Sequence, residues 1–399
     1  MKKIKIFLST FLLILVSVIS VYSEEKVRII SFYLDKIKPG QISLLSQLDV
    51  IAVGQEKIYA IVNQAEFRAV VKSKFSFNYE SIRAFDKEIA LPKKGQNGMF
   101  HSYRELEKDI HELEKKYPEI FKVTSIGTSI EGRNIYAIKI SDNVSQDEKE
   151  SEILFVGAHH AREWISVEVP YLLAHYLSQE YSSNPEIKKI VDSSEVWFVP
   201  LLNPDGLEYS INVYRYWRKN RRDNGNGTFG VDLNRNYGYM WGIDDKGSSP
   251  STYSQVYRGK YPFSEPETAF LRDFMSQRKF AAAVSYHNYS QVILYPWGYT
   301  KIISKDRDLF HYLSGEMAKL ITNVRENTYG YGQGSLIMYL TNGDYIDWVY
   351  GVFNIPSFTI ELNPKDFISG GFITPESEIF PVFWENLPAA LFLINWAVK

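Results

Sequence analysis

The sequence contains no cysteine. This absence excludes disulfides, thiolate metal ligands and cysteine nucleophiles, and it also excludes a lipid attached to a cysteine at a cleaved N-terminus. A metal site in this chain must therefore use His, Asp or Glu side chains. Strong net charge is also lacking, since the formal net charge at pH 7 is −2, and no basic run carries interleaved aromatic residues. The composition gives no reason to expect a nucleic-acid partner.

What the chain does have is length and apolar content. Its 399 residues are 45% hydrophobic and 23% charged, which is typical of a soluble globular protein with two or three folding units. Aromatic residues make up 15%. They indicate either a well-filled core or a recognition groove.

The N-terminus has the pattern of an export signal. Three lysines within the first five residues precede an apolar stretch over 6–21, which ends at the small-residue positions Val21 and Ser23. We predict a signal peptide over residues 1–23 and a secreted or periplasmic protein with no membrane contact after cleavage. The alternative is a retained anchor, because the apolar stretch approaches the length of a short spanning helix.

Residues 24–98 alternate quickly between short elements. The pattern predicts strands over 27–33, 49–53, 57–62 and 75–79, and helices over 41–48 and 64–74. The order β-α-β-β-α-β suggests a small ferredoxin-like α+β module. Its polar end, 91–98, reads as an exposed linker in which Lys93-Lys94 is a plausible place for proteolysis. The alternative is a surface loop that stays uncleaved.

In residues 99–399, strand-like and helix-like segments alternate. The fold class predicted is α/β, with a mixed, largely buried central sheet flanked by helices. The predicted strands are 122–126, 134–140, 152–157, 195–200, 280–287, 292–296 and 357–361. The predicted helices are 102–117, 166–180, 265–278 and 309–323.

An apolar strand ends at Gly157 and leads into the sequence Ala-His-His-Ala-Arg-Glu. His160 and Glu163 are three residues apart, so one helical turn would place both on the same face. His159 and Glu163 are four apart and would share a face as well. Either pair could supply two zinc ligands, and a catalytic zinc site needs a third ligand from elsewhere. The spacing leaves the choice of histidine open.

The wider sequence resembles the zinc metallocarboxypeptidases of the pancreatic A/B and bacterial T type. The run Gly-Ala-His-His-Ala-Arg-Glu-Trp at 157–164 resembles the first zinc motif of that family, in which the ligand histidine stands three residues before the glutamate. The run 285–298 resembles the strand that carries the third ligand. The resemblance therefore implies one zinc ion per chain, held by His160, Glu163 and His287.

The same resemblance implies the catalytic groups. Ser-Phe-Thr-Ile-Glu-Leu at 357–362 is similar to the strand that carries the catalytic glutamate, here Glu361. Zinc would lower the pKa of its bound water, and Glu361 would take the proton and deliver it to the leaving nitrogen. Arg218 matches the arginine that polarises the substrate carbonyl, although the basic run 215–222 could be only a surface loop. Asp232 matches the acceptor that orients a zinc-bound imidazole.

Substrate-binding residues follow from the resemblance as well. Asn234 and Arg235, within Val-Asp-Leu-Asn-Arg-Asn-Tyr at 231–237, match the motif that holds the terminal carboxylate of the substrate. Tyr339 matches a mobile tyrosine that closes on substrate. Arg162 and Tyr289 are expected to bind substrate too. This set favours an exopeptidase acting on the C-termini of peptides and proteins.

The specificity pocket is expected around Asp344 and Ile346, beside the apolar Met338. Such a mixture fits the broad-specificity bacterial branch and would accept aromatic, aliphatic and basic C-terminal residues. The alternative is that Asp344 points to solvent.

The resemblance assigns residues 24–98 to an inhibitory propeptide that acts in cis, and residues 99–399 to the catalytic domain. Calcium is possible because the bacterial branch binds it, but the sequence does not locate a site. Two other functions remain open. One is a metal-free module that only holds peptide ends, and the other is an amidase of the same fold that trims cell-wall peptides.

Overall fold

The computed structural model describes residues 28–38, 41, 44, 48–53, 57–62, 64–80, 97–366 and 369–398. The chain divides into two compact units between Ile89 and Ala90. The predicted signal peptide and the Lys93-Lys94 site lie outside the described residues. Among the helices that the structure describes, none is long and apolar enough to cross a membrane.

The N-terminal unit is a four-stranded antiparallel sheet in the order β2-β3-β1-β4. Its central strand β1 alternates, so that Ile30 and Phe32 are buried together with Ala60, Val62 and Val70. The sheet order and the helix after β3 are those of a split β-α-β unit. The helix predicted over 41–48 lies mostly outside the described residues. The bounds are β1 Arg28–Tyr33, a 3-10 turn Leu34–Lys36, β2 Asp49–Val53, β3 Lys57–Val62, α1 Gln64–Lys72 and β4 Phe77–Glu80.

The C-terminal unit contains an eight-stranded sheet in the order β11-β10-β12-β9-β7-β8-β6-β5. Pairings within β8-β7-β9-β12 and between β10 and β11 are parallel, and the other pairings are antiparallel. The predicted mixed sheet is therefore confirmed. The strands are β5 Phe121–Thr128, β6 Asn134–Ile140, β7 Ser151–Val156, β8 Ser194–Val199, β9 Phe280–Asn288, β10 Val292–Tyr295, β11 Gly330–Gln333 and β12 Ser357–Leu362.

Helices cover both faces of this sheet. They are α2 Tyr103–Lys116, α3 Ile165–Glu180, α4 Pro185–Val191, α5 Pro204–Asn212, α6 Pro266–Ser276, α7 Arg307–Arg325, α8 Gly334–Ile337, α9 Tyr345–Phe353 and α10 Ile379–Ala397, with 3-10 turns at Leu233–Arg235 and Glu376–Glu378.

Alternation along the central strands produces two hydrophobic cores. In β7, Ile153 and Phe155 join the core that includes α3, α7 and α10, whereas Leu154 and Val156 join the core that includes α6 and α9. Successive side chains of a strand point to opposite faces, so a strand covered by helices on both sides must be apolar throughout. This is why the last four residues of β7 and of β8 are all apolar.

The predicted strands agree with the structure to within two residues, but β11 was missed. Its sequence, Gly-Tyr-Gly-Gln, has no β-branched residue and two glycines, which weaken a strand signal. It forms only because β10 offers an adjacent parallel strand.

The first residues of the C-terminal unit are fixed to α3. Phe100 is buried and its ring packs against Trp164 at 5.7 Å. The His101 backbone N–H and Nδ1 contact the two carboxylate oxygens of Glu168 at 2.8 and 2.7 Å, and Nε2 lies 3.3 Å from Asp109. Burial lowers the pKa of His101, but hydrogen bonds and charge interactions with Glu168 and Asp109 outweigh it and raise the pKa from 6.5 to about 9.

This pairing should make stability depend on pH in a defined window. Because the pKa of His101 is higher in the folded state, its contribution is complete below the unfolded pKa near 6.5 and is lost as pH rises through about 9. We expect His101→Gln to lower the free energy of unfolding by roughly 1–3 kcal/mol at pH 6 and by much less at pH 9.5.

Denaturant titrations followed by tryptophan fluorescence measure this, because all 8 tryptophans lie at or beyond residue 164 and report on the C-terminal unit alone. His311→Gln, on the exposed side of α7, is the matched control. Parallel pH profiles for His101→Gln and the wild-type chain would contradict the assignment.

Candidate metal centre

The site lies at the edge of the sheet where three parallel strands end. Strand β9 pairs with β7 on one side and β12 on the other, and in the second pairing His287 is opposite Glu361. The residues that follow β7 form the loop that carries His160 and Glu163. Parallel strands end at the same edge, so segments far apart in sequence are brought together here.

Three buried side chains converge at this edge. Glu163 Oε1 lies 2.9 Å from His160 Nδ1, and Glu163 Oε2 lies 2.9 Å from His287 Nδ1. The two Nδ1 atoms are 3.0 Å apart. His160, Glu163 and His287 form a group that can hold a metal ion.

The first two members do not lie on a helix, contrary to the expectation from their spacing. Helix α3 begins only at Ile165. His160 and Glu163 instead belong to a turn in which the Glu163 N–H donates to the His160 carbonyl at 3.2 Å. A turn of this kind gives the same three-residue proximity as a helix.

The donor set fits zinc. His160 Nε2 lies 3.1 Å from Asp232 Oδ1, which holds the ring proton on Nε2 and leaves the Nδ1 lone pair directed at the group. Two imidazole nitrogens and one carboxylate are the ligands of a catalytic zinc site. Their separations of 2.9–3.0 Å are close to the roughly 3.3 Å edge expected for tetrahedral ligands around zinc. A cation between the Nδ1 atoms of His160 and His287 would accept the lone pair of each nitrogen.

His159 is engaged elsewhere. Its Nε2 lies 2.8 Å from the Tyr237 hydroxyl and its Nδ1 lies 3.1 Å from Ser285 Oγ, so both ring nitrogens have other partners. Its ring stacks on that of His287 at 5.3 Å. Burial lowers the pKa of His159 well below its usual value, and the ring is neutral. The geometry therefore groups His160, and not His159, with Glu163 and His287, a distinction that the spacing alone could not make.

Asp232 links the metal ligands to Arg218. Its Oδ2 accepts from Arg218 Nε and Nη2 at 3.0 and 2.9 Å, while its Oδ1 faces His160. Burial opposes ionisation of this carboxylate, but Arg218 and His160 hold its pKa well below the usual range. Arg218 Nη1 is 3.9 Å from Glu163 Oε1. Because Arg218 and Lys219 are buried, the alternative of a basic surface loop is wrong for this part of the run.

Glu361 is partly buried beside this network. The pKa of the Glu361 carboxyl is raised to about 8, chiefly by burial; the charges of His287 and Arg218 act to lower it, and that of Glu163 adds to the rise. A carboxyl group whose ionisation is this sensitive to its neighbours suits proton transfer.

The predicted carboxylate-binding residues lie on two adjoining segments. Arg235 is 2% exposed, its Nη1 donates to the Asn234 carbonyl at 2.6 Å, and its Nε has no hydrogen-bond partner among the described residues. Asn234 Oδ1 accepts from the Tyr345 N–H at the start of α9. Half of the Tyr339 side chain is exposed, yet burial raises the pKa of its hydroxyl, and Arg235 and Arg218 act to lower it.

Sequence reasoning assigned no role to Phe372 or Arg215, which contact the predicted substrate-binding residues Arg162 and Tyr289. The Arg162 guanidinium lies over the Phe372 ring at 3.8 Å, and Tyr289 meets the same ring at 4.9 Å. Arg215 donates to the carbonyls of Arg162 and Phe372 at 2.6 and 2.7 Å. Phe372 carries no reactive group and follows two glycines, so the sequence offered no signal for it.

Asp344 is buried, which excludes the alternative that it points to solvent. Its Oδ1 accepts from the Asp347 N–H at 2.8 Å and caps α9, and its Oδ2 accepts from the Thr341 hydroxyl. Burial raises the pKa of Asp344. Ile346, in the first turn of the same helix, is buried in the core next to α9.

Comparison with known proteins gives a consistent family. The family model described as zinc carboxypeptidase matches residues 106–389. A zinc carboxypeptidase of Saccharothrix mutabilis subsp. capreolus is 34% identical over 278 residues, which cover 67% of this chain and 62% of that relative. The chain thus spans less than two thirds of this relative's length. Human carboxypeptidase B2 is 35% identical over 305 residues, which cover 75% of this chain and 70% of that protein.

A solved structure is similar over nearly the whole chain. The crystal structure of thrombin activatable fibrinolysis inhibitor has a TM-score of 0.76 and 26% identity, and the match covers 94% of this chain and 99% of that one. A match of this extent must include the N-terminal unit. The likeness therefore covers both units.

The choice between the two adjacent histidines can be tested by zinc affinity. We expect His160→Gln to weaken zinc binding by at least about 100-fold, because one of three protein ligands is removed, and Asp232→Asn by roughly 10–100-fold. His159→Gln should leave the affinity within about threefold of the wild-type value, since its ring nitrogens bond to Tyr237 and Ser285.

Competition with a colorimetric chelator measures the three affinities, and circular dichroism checks that each variant is folded. Equal losses in His159→Gln and His160→Gln would contradict the assignment.

Proposed function

The chain belongs to the zinc carboxypeptidase family, and from this premise we propose that it is a zinc-dependent exopeptidase that hydrolyses the C-terminal peptide bond of peptides and proteins. The observation that carries the proposal is the convergence of His160, Glu163 and His287 at the sheet edge that also holds Glu361. Metal donors and a candidate proton-transfer group thus share one site. The buried Arg235 adds a cation for an anionic substrate group.

Zinc, when bound, supplies a Lewis acid that lowers the pKa of water and polarises a carbonyl. Glu361 accepts the proton of the attacking water and then donates it to the leaving nitrogen, a role consistent with its raised pKa. Arg218 stabilises the negative charge that develops on the carbonyl oxygen. It is held for this purpose by two hydrogen bonds to Asp232, which leave Nη1 directed toward the metal ligands.

Arg235 makes the enzyme an exopeptidase. A buried guanidinium with a free N–H can bind a carboxylate through parallel charge-assisted hydrogen bonds. Asn234 and Tyr339 complete the clamp. Arg162 and Tyr289, both in contact with the Phe372 ring, bind the substrate at positions farther from its C-terminus. A module that only holds peptide ends has no use for a complete set of metal donors, and an amidase does not need the clamp.

Specificity is proposed to be broad. The proposed pocket is at the start of α9, where the apolar Ile346 and the acidic Asp344 are close in sequence. Both Asp344 oxygens already accept hydrogen bonds from Asp347 and Thr341, so they attract a basic side chain through charge more than through new hydrogen bonds. Aromatic and aliphatic C-terminal residues are accommodated by the apolar surface.

The chain is further proposed to be exported as a latent precursor, with residues 24–98 as the inhibitory segment. The division of the chain between Ile89 and Ala90 supports a separate N-terminal unit. Anchoring of the catalytic unit begins at Asn97, whose side chain donates to the Phe100 carbonyl and to Glu105. A cut at Lys93 or Lys94 preserves this anchor.

The mechanism predicts that Glu361→Gln abolishes peptide hydrolysis but retains zinc. Removal of the proton acceptor should lower kcat by about 100- to 10,000-fold, because acid–base catalysis typically contributes 10²–10⁴-fold. The assay is amino-acid release from a mixed peptide library, with the full chain and with the chain cut before Asn97, and zinc content is measured in parallel.

Glu112→Gln, on the exposed side of α2, is the matched control and should release amino acids at the wild-type rate. Unchanged amino-acid release by Glu361→Gln would contradict the mechanism. Full activity of the uncut chain would overturn latency alone, and the identities of the released residues test the breadth of specificity.

The role of Arg235 predicts selectivity for a free carboxylate. Arg235→Gln should lower kcat/KM for a peptide acid by about 100-fold or more and should leave the slow hydrolysis of the matching peptide amide unchanged. Arg235→Lys should recover only part of the loss, because a point charge cannot form two parallel hydrogen bonds. If both substrates lost activity equally, the loss would reflect general damage to the site, and the clamp would be rejected.

A further inference from the structure

An open groove lies between helix α7 and strand β11, the last strand at one edge of the eight-stranded sheet. Its volume of about 510 Å³ is within the range of roughly 300–1,000 Å³ that small-molecule sites occupy. None of the residues that line it belongs to the candidate metal centre or to the proposed carboxylate clamp. The groove is therefore a candidate binding site of its own. Its lining includes Tyr312, Gly315, Glu316, Lys319, Asn323 and Tyr331.

Two tyrosine side chains in this lining are exposed. Tyr331, on β11, is 38% exposed, and Tyr312, on α7, is 55% exposed. Their hydroxyls have no hydrogen-bond partner among the described residues. Each side chain therefore offers an apolar ring and a polar tip to a molecule in the groove.

The Tyr331 ring is held in place against α7. It meets the His311 ring at 5.0 Å, and a Cβ atom added at Gly315 would lie 3.3 Å from its Cζ atom. A larger residue at position 315 would push the ring away from the helix. Glycine inside a helix costs stability relative to alanine, and at this position it makes room for the ring. The surface that a ligand would meet is therefore already in position.

The charges in the groove are balanced. Among the described residues that line it, Glu316 supplies the carboxylate and Lys319 the ammonium, and the two groups lie 3.5 Å apart. The exposed Asn323 adds an amide that can both donate and accept hydrogen bonds. An anionic ligand would need excess positive charge in the lining, and a cationic ligand would need excess negative charge. The lining therefore favours a neutral ligand with several hydroxyl or amide groups.

An extended peptide that adds to β11 is the other occupant that this position suggests. Only the first two residues of this strand, Gly330 and Tyr331, are exposed. The Gln333 side chain at its end is engaged, because Nε2 donates to the carbonyls of Thr300 and Ile302 at 3.0 Å. A very short edge strand offers few backbone groups to an added strand. A ligand that binds the side chains of the groove fits better than one that pairs with the strand.

We propose that the groove between α7 and β11 binds a neutral saccharide. The faces of a pyranose ring carry C–H groups and its rim carries hydroxyls, so it is amphipathic in the same way as the groove. Its polarised C–H groups stack on the electron-rich faces of Tyr312 and Tyr331. Its hydroxyls form hydrogen bonds with the tyrosine hydroxyls and with the polar groups of Glu316, Lys319 and Asn323.

A saccharide in this groove leaves the candidate metal centre free, because the two sites share no residue. The groove therefore tethers the protein to a glycan and takes no part in hydrolysis. Such a tether raises the effective concentration of peptides that are attached to the same glycan. Saccharide binding requires neither zinc nor Glu361, so it can be measured whether or not the chain is an exopeptidase.

Co-sedimentation with insoluble cellulose, chitin, xylan and mannan tests the proposal. The full chain should sediment with at least one of these polymers in about 0.5 M NaCl, a concentration that screens contacts between exposed charges. Calorimetry with the soluble hexasaccharide of that polymer should show saturable binding at one site per chain. Binding of the hexasaccharide distinguishes recognition of the sugar from adhesion to a polymer surface.

Tyrosine variants make the test specific. Tyr312→Ala combined with Tyr331→Ala should lower the affinity for the hexasaccharide at least about tenfold, because both stacking faces are removed. Tyr331→Phe should stay within about threefold of the wild-type affinity, since the ring is kept. The matched control is Tyr253→Ala combined with Tyr261→Ala. These two tyrosines are 47% and 59% exposed and do not line the groove.

Circular dichroism checks that each variant is folded, and Tyr331→Ala alone replaces the double variant if the latter is not. The groove variants should hydrolyse a soluble peptide acid at the wild-type rate, because neither tyrosine belongs to the proposed catalytic site. A chain that hydrolyses no peptide but binds the sugar would contradict the proposed function alone. Failure to sediment with any of the four polymers would overturn saccharide binding. So would binding that the double variant retains, or an equal loss in the control pair.

Discussion

The pairing of β9 with two parallel neighbours is the constraint on which the metal centre depends. Because β7, β9 and β12 run in the same direction, the loop after β7, His287 near the end of β9 and Glu361 near the end of β12 meet at one edge of the sheet. The register matters as much as the order of the strands. A shift of one residue in β9 would turn His287 to the other face of the sheet. Tyr286, whose side chain is in the core of this structure, would take its place at the site.

Around this edge, burial of charge is tolerated where the ionised groups have hydrogen-bonded partners. Asp232 is shared between His160 and Arg218, and Glu163 is shared between the two ligand histidines. An ion pair in a low-dielectric interior costs desolvation energy that only good geometry repays. Removal of one member therefore disturbs the others, because Arg218 and His160 are held by the same Asp232 carboxylate.

The opposite edge of the same strands shows what happens when charges are not matched. There Glu195 and the acidic residues of the β6–β7 loop exceed the single ammonium of Lys139, and several of their oxygens remain without a partner among the described residues. The two edges thus differ in how their charges are matched. One edge brings together candidate metal donors that share hydrogen bonds, and the other holds more carboxylates than ammonium groups.

The sequence by itself determined the periodicity of the strands, the two-unit organisation and the set of chemically able residues, because alternation and local motifs are properties of neighbouring positions. It left open whether His159 or His160 faces Glu163, and whether Asp344 lines a pocket or points to solvent. Only the tertiary structure bears on these points: the ring nitrogens of His159 contact Tyr237 and Ser285, and Asp344 is buried and caps α9. The physical reason is that each outcome depends on a partner supplied by another strand or loop, and local spacing does not specify which distant residues packing brings into contact.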